Sequence, residues 1–169
     1  MHDLLPITER LGALLKARKQ TVAVAESSSG GLVSAALLAV PGASAYYQGG
    51  AVVYTQRSRS VLLGITREAM TGIESASEPY AKLLADTVRE RFGTDWGVAE
   101  TGAAGPDGNR YGNPAGNTCI AISGPVGKVI TIETGSADRV ANMRAFAASL
   151  LALLSEAIEA DDRFPGGAA

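Results

Sequence analysis

Two kinds of hydrophobic periodicity alternate along this chain, and the alternation limits the folds open to it. Leu4, Ile7 and Leu11 recur at the three- to four-residue spacing of an amphipathic helix. The next segment, Thr21-Val-Ala-Val-Ala25, is a short β-branched run typical of a buried strand. Further helical and strand patterns follow without a linker or an internal repeat. We therefore predict an α/β fold, a three-layer helix/sheet/helix sandwich.

The rest of the chain continues this pattern and ends in a polar segment. Strands are predicted at 50–54, 96–99, 117–123 and 129–134, and helices at 32–40, 56–63, 78–92 and from 138 onward. The last two strands flank Gly124-Pro-Val-Gly127 and are expected to be antiparallel, so the sheet is predicted to be mixed and mostly parallel. Residues 1–160 are predicted to form one domain, and residues 161–169, rich in Gly and Ala, a disordered tail.

Charge and composition argue against several classes of partner. The formal net charge is −2 and the basic residues are scattered, which disfavours nucleic acid or an anionic membrane as the main partner. No stretch approaches the roughly 20 apolar residues that a membrane span needs, and the start lacks signal-peptide features. The only cysteine, Cys119, lies in an alternating apolar run and is predicted to fill core. These features predict a cytoplasmic protein.

The histidine content restricts the chemistry. His2 is the only histidine, which leaves no Ser-His-Asp triad and no histidine-based metal site within one chain. The carboxylates show no metal-ligand spacing. We therefore expect no metal and no cofactor, and any reaction would rely on hydroxyl groups, Lys or Arg, carboxylates and the backbone.

Three segments are candidates for a site. Glu26-Ser-Ser-Ser-Gly-Gly31 follows the first strand, where a small-residue turn can offer N–H groups to an anion, although a serine-capped tight turn needs the same residues. Gly42-Ala-Ser44 precedes Tyr54 by ten residues, and helix capping is the default role of its serine. The segment from Thr101 to Gly116 is long for a connection and rich in glycine, which favours a functional loop.

Together these segments resemble the C-terminal domain of the competence/damage-inducible protein A (CinA) family. The family pattern A-E-S-C-T-G-G corresponds to Ala25-Glu-Ser-Ser-Ser-Gly-Gly31, and P-G-S-S to Pro41-Gly-Ala-Ser44. G-G-x-x-x-Y corresponds to Gly49-Gly-Ala-Val-Val-Tyr54, and T-G-x-A-G-P to Thr101–Pro106. The resemblance covers about residues 8–155.

The resemblance implies an amidohydrolase. Stand-alone members of the family are nicotinamide-nucleotide amidases, which convert nicotinamide mononucleotide to the nicotinic acid nucleotide and ammonia without a metal. Carried over, the nucleophile is Ser44, with Tyr54 beside it, and an arginine of the last helix holds phosphate. A homodimer is also expected from the family. The substrate-binding candidates are Glu26, Ser28, Ser29, Gly30, Gly49, Thr101, Gly102, Gly105, Asn113, Arg139 and Arg144.

One residue with a proposed catalytic role in the family, a lysine, is replaced in this chain. The family segment Tyr-Ser-Asn-Glu-Ala-Lys reads Tyr54-Thr-Gln-Arg-Ser-Arg59 here, so Arg59 stands in place of the expected lysine. A guanidinium group, with a pKa above about 12, cannot act as a general base at neutral pH, although it can bind phosphate or steady an oxyanion. Two interpretations stay open: an amidase with Ser44, Tyr54 and Arg59 at its centre, or a catalytically impaired relative that binds a nucleotide without hydrolysing it.

Overall fold

A single five-stranded sheet forms the centre of the computed structural model, which describes residues 2–163. The strands are β1 (Val22–Glu26), β2 (Tyr47–Val52), β3 (Trp96–Ala103), β4 (Asn117–Ser123) and β5 (Lys128–Glu133). They stand in the order β2-β1-β3-β4-β5. Strand β1 lies between β2 and β3 and is parallel to both, and the ladders β3–β4 and β4–β5 are antiparallel. The predicted mixed sheet is confirmed.

Helices cover both faces of the sheet because successive strand residues point to opposite sides. The helices are α1 (Leu5–Arg18), α2 (Leu32–Leu38), α3 (Gln56–Leu63), α4 (Glu78–Phe92) and α5 (Arg139–Glu159). In β1, Val22 and Val24 pack in the cluster that contains α1, α2 and α5, whereas Ala23 and Ala25 pack against α4. The three predicted layers are therefore confirmed, and Cys119 is buried in the cluster that contains α4, as predicted.

Two strands differ from their predicted bounds by more than one residue. β3 runs on to Ala103, four residues beyond its prediction, because the first part of the glycine-rich segment pairs with β4. Gly102 allows this pairing, since a Cβ at that position would lie 2.3 Å from the carbonyl oxygen of Asn117. β2 covers Tyr47–Val52 rather than 50–54, so Tyr54 follows the strand instead of ending it.

The C-terminal part of the domain extends past its predicted end. Asp161 is buried, and its carboxylate accepts a hydrogen bond from Nε2 of Gln20 at 3.0 Å. The predicted tail therefore does not begin at 161, and its remainder, 164–169, lies outside the described residues.

Helix α5 is the one helix in the described part of the chain that is long and apolar enough to cross a membrane. We expected no such segment. Half of its apolar window is buried, and Leu150, Leu151 and Leu154 are fully enclosed in the core. The core helix of a soluble protein has the same length and composition.

The contact between β3 and α4 gives a stability prediction. A Cβ on Gly97 would lie 2.2 Å from the carbonyl oxygen of Ala85 and 2.5 Å from Cβ of Arg89, so Gly97→Ala forces helix and sheet apart. We expect it to lower the free energy of unfolding by about 1–3 kcal/mol. Gly127→Ala is the matched control, because the nearest atom to its Cβ is 3.7 Å away. Urea denaturation measures both, and equal stabilities would contradict the packing described.

Candidate active site

Glu26, the last residue of β1, caps helix α2 with its side chain. Its carboxylate is buried and accepts hydrogen bonds from the backbone N–H groups of Gly31, Val33 and Ser34 at 2.8–3.0 Å. The hydroxyl of Ser34 donates to it as well, at 2.7 Å. A carboxylate at this place also interacts favourably with the positive end of the helix dipole.

Glu100, on the neighbouring strand β3, accepts hydrogen bonds from the first three residues of the same turn, Ser27 to Ser29. Its fully buried carboxylate accepts from the N–H groups of Ser27 at 3.2 Å and Ser29 at 2.7 Å. It also accepts from the hydroxyls of Ser28, at short range, and of Thr118 at 2.9 Å. Burial raises the pKa of Glu100 above the usual glutamate range, while these donors oppose the shift.

The serine turn, residues 27–31, is thus filled by two carboxylates of the chain itself. Five of the N–H groups in and just after the turn already donate to Glu26 or Glu100. Of the two interpretations left open for this segment, the structure favours a tight turn whose amides are mostly used within the chain over one that offers them to a ligand anion. Ser29 is likewise occupied, because its hydroxyl donates to Glu26 at 2.8 Å.

A two-lobed cleft lies beside the turn, at the carboxyl ends of β1 and β2. The larger lobe, about 500 Å³, is called the tyrosine lobe here, after Tyr54, Tyr80 and Tyr111 in its wall. The smaller, about 310 Å³, is called the loop lobe and is lined by residues 102–109 with Ser28 and Arg139. Tyr54, Gly102 and Asn109 belong to both lobes, so the two are continuous.

Arg59 is fixed in the wall of the tyrosine lobe. Its guanidinium lies 5.4 Å from the centre of the Tyr80 ring and donates to the hydroxyl of Ser75 at 3.2 Å. Burial raises the pKa of Tyr80. The pKa of Tyr111, by contrast, is lowered by its hydrogen bond with Ser75 and further by Arg110. The lobe therefore carries positive charge but no lysine.

Arg139 closes the loop lobe from the first turn of α5. Its guanidinium donates to the carbonyl of Gly105 at 2.6 Å and to the hydroxyl of Tyr54 at 3.2 Å. Among residues 2–163, no acceptor is recorded for the backbone N–H groups of Gly105, Asp107 and Gly108, which lie in the same wall. This lobe, rather than the serine turn, presents a cation and open amides to an anionic group.

The cleft brings together many of the residues that the sequence singled out. Tyr54, Arg59 and Thr101 line the tyrosine lobe, and Ser28, Gly105 and Arg139 line the loop lobe. Gly102 lines both.

Ser44 is not brought to this cleft within its own chain. It is exposed in a 3₁₀ turn, Ala43–Ala45, which precedes β2, whereas Tyr54 follows β2. The whole strand therefore separates Ser44 from Tyr54. The predicted pair of nucleophile and tyrosine is absent from the single chain as described.

Other predicted binding residues line neither lobe and have structural contacts instead. Gly30 lies against Met143, Gly49 lies against the ring of Phe92, and Asn113 donates to the carbonyl of Ala76 at 3.0 Å. Arg144 is exposed on α5 and is not in either lobe, so Arg139 is the arginine of the last helix that reaches the cleft. Glu26 and Ser29 serve the turn, as described above.

Several residues at the site escaped sequence reasoning. Glu100 directly follows an apolar strand run. An acidic residue at such a position can indicate a buried carboxylate, and this signal could have identified it. Tyr111 lies in the long loop and Tyr80 in the first turn of α4, and neither position has a distinctive pattern. Within the described part of the chain, no group of three or more His, Cys, Asp or Glu side chains is placed to hold a metal ion.

Comparisons with known proteins agree on one family. The family model described as the CinA C-terminal domain matches residues 5–158. A CinA-like protein of Synechococcus sp. (strain CC9902) is 40% identical over 126 residues, which is 75% of this chain and 30% of that protein. One from Gloeobacter violaceus is 43% identical over 113 residues, 67% of this chain and 26% of that protein. The chain thus spans less than a third of these relatives.

Solved structures share the whole fold. The competence damage-inducible protein A (ComA) of Klebsiella pneumoniae superposes with a TM-score of 0.86 at 25% identity, over 93% of this chain and 98% of that one. The competence/damage inducible protein CihA of Agrobacterium tumefaciens gives 0.81 at 29% identity, over 91% of this chain and 94% of that one.

The capping role of Glu26 gives a second stability prediction. Glu26→Gln replaces one acceptor oxygen by an NH₂ group that faces N–H donors, and it removes the charge. We expect the free energy of unfolding to fall by about 2–4 kcal/mol. The exposed Glu9→Gln on α1 is the control and should stay within about 0.5 kcal/mol of the wild type. Thermal or urea unfolding decides it, and an unaffected Glu26→Gln variant would mean that the carboxylate does not hold the turn.

Proposed function

The chain belongs to the CinA C-terminal domain family, and on that premise we propose that it hydrolyses the carboxamide of nicotinamide mononucleotide or a related nucleotide amide. The products are the nicotinic acid nucleotide and ammonia. The observation that carries the proposal is the loop lobe, whose wall combines Arg139 and open backbone amides with Ser28 of the serine turn.

The proposed placement of the substrate follows from charge. Its phosphate binds Arg139, because a guanidinium forms strong charge-assisted hydrogen bonds with phosphate oxygens. The carboxamide lies toward the serine turn on the other side of the same lobe. Tyr54 lines the same lobe and is 58% exposed, so it offers a ring face to the pyridine and a hydroxyl to the ribose or amide. Open N–H groups of the loop supply further donors for the phosphate oxygens.

A second candidate function is nucleotide binding without hydrolysis, and Arg59 favours it. Arg59 stacks on Tyr80 where the family pattern has a lysine, and a guanidinium takes up no proton at neutral pH. The two candidates differ in one assay. An amidase releases ammonia from nicotinamide mononucleotide, whereas a binding protein is stabilised by that nucleotide against heat and releases none.

Self-association stays a prediction, and an edge strand with exposed apolar residues beside it supports it. Strand β2 stands at one edge of the sheet. Val52 on that strand, and Val61 and Leu62 on the following helix α3, are apolar and exposed. If a second copy covered this area, its Ser44 could lie near the cleft of the first copy, which the Ser44 of the same chain does not do.

The assignment of the phosphate site predicts a defined kinetic change. Arg139→Gln removes the charged contact, so we expect KM for nicotinamide mononucleotide to rise about 10- to 100-fold with little change in kcat. Arg144→Gln, five residues along the same helix and outside both lobes, is the matched control and should leave both constants unchanged. Ammonia release at varied nucleotide concentration measures them. Equal effects of the two substitutions would place the phosphate elsewhere.

A further inference from the structure

Glu100 is a fully buried carboxylate at the edge of the cleft, and the function proposed above gives it no chemical role. Its Oε1 receives the hydroxyls of Ser28, at short range, and of Thr118. The other oxygen receives the N–H groups of Ser27 and Ser29. Within residues 2–163, no lysine or arginine forms an ion pair with it. The carboxylate is thus aligned on a serine without a cation to neutralise it.

Ser28 is the partner that reaches the cleft. It is 3% exposed and lines the loop lobe. Five aliphatic hydroxyls line the two lobes, those of Ser27, Ser28, Thr55, Ser75 and Thr101. In the described chain, the hydroxyl of Ser28 is the only one of these five that donates to a carboxylate. A hydroxyl bound to a base is the arrangement that activates serine as a nucleophile.

We propose that Ser28 is the nucleophile and Glu100 its proton acceptor in the amide hydrolysis proposed above, on which this inference rests. The assignment needs no lysine at position 59 and no residue from a second copy. It therefore accounts for both features that conflict with the family expectation, the guanidinium of Arg59 and the distant position of Ser44.

The reaction balances with these two groups and water. Oγ of Ser28 bonds to the carboxamide carbon as its proton passes to Glu100, and the carbonyl electrons form an oxyanion. The oxyanion collapses, the C–N bond breaks, and the amine leaves as ammonia with the proton from Glu100. Water then attacks the Ser28 ester and gives a proton to Glu100. Breakage of the ester bond releases the carboxylic acid product, and that proton returns to Oγ.

The surroundings of Glu100 strengthen it as a proton acceptor. Burial raises its pKa above the usual glutamate range, and its hydrogen-bond donors oppose the shift. The titratable neighbours are few: Glu26 on β1, which is bound by the N–H groups of α2, and Cys119 on β4, whose pKa is raised chiefly by burial. The polar neighbours Ser27, Ser29 and Thr118 carry no charge.

Kinetics of two variants test the assignment. Ser28→Ala should lower kcat for ammonia release from nicotinamide mononucleotide by at least about 10³-fold, and Glu100→Gln by about 10²- to 10⁴-fold. Ser28→Ala should still be stabilised against heat by the product nucleotide. Ser60→Ala, exposed on α3, is the control.

The pH dependence of the rate gives a further test. The wild-type rate should rise with pH through the raised pKa of Glu100, since the base acts deprotonated. This rise of the rate with pH should vanish in Glu100→Gln.

A measurement on the wild type alone guards against variants that fail to fold. Acid quenching during turnover, followed by fragment mass spectrometry, should locate an acyl ester on Ser28. An ester on Ser44, or full turnover by Ser28→Ala, would overturn this inference and leave the amidase intact. A wild type that binds the nucleotide and releases no ammonia would overturn the proposed function and this inference together.

Discussion

Two buried carboxylates, Glu26 and Glu100, hold together the turn on which the rest of the site depends. A charged group inside a protein is costly unless donors surround it. Here the donors come from the serine turn and the first turn of α2. The result is a rigid junction between β1, β3 and α2. Neither carboxylate has a lysine or arginine partner in the described structure, so these groups depend on hydrogen bonds and, at Glu26, on the dipole of α2.

This junction limits which groups of the cleft have free donors. The chain's own carboxylates occupy most of the amides of the turn, whereas the loop lobe has Arg139 and open loop amides in its wall. The cleft has positive charge in both lobes, from Arg139 in one and from Arg59 and Arg110 in the other. Arg59 is held by Tyr80 and Ser75, so it acts as a fixed charge rather than as a proton carrier.

The sequence predicts the layers of the fold because periodicity and glycine breaks are local signals. The family motifs also predict Tyr54, Thr101, Gly105 and either Arg139 or Arg144 as neighbours, and the structure places the first three and Arg139 at the cleft. Motifs do not carry distances, however, so they could not show that β2 separates Ser44 from Tyr54. Nor could they show the use of Glu26 and Glu100, because that depends on the pairing of β1 with β3 across more than 70 residues of chain.

A crystal structure with the nicotinic acid nucleotide bound tests the central claim most directly. The account predicts the nucleotide in the loop lobe, with its phosphate on the guanidinium of Arg139 and its carboxylate beside the hydroxyl of Ser28. A nucleotide bound against Ser44, whether of the same chain or of a second copy, with the loop lobe unoccupied, would contradict it.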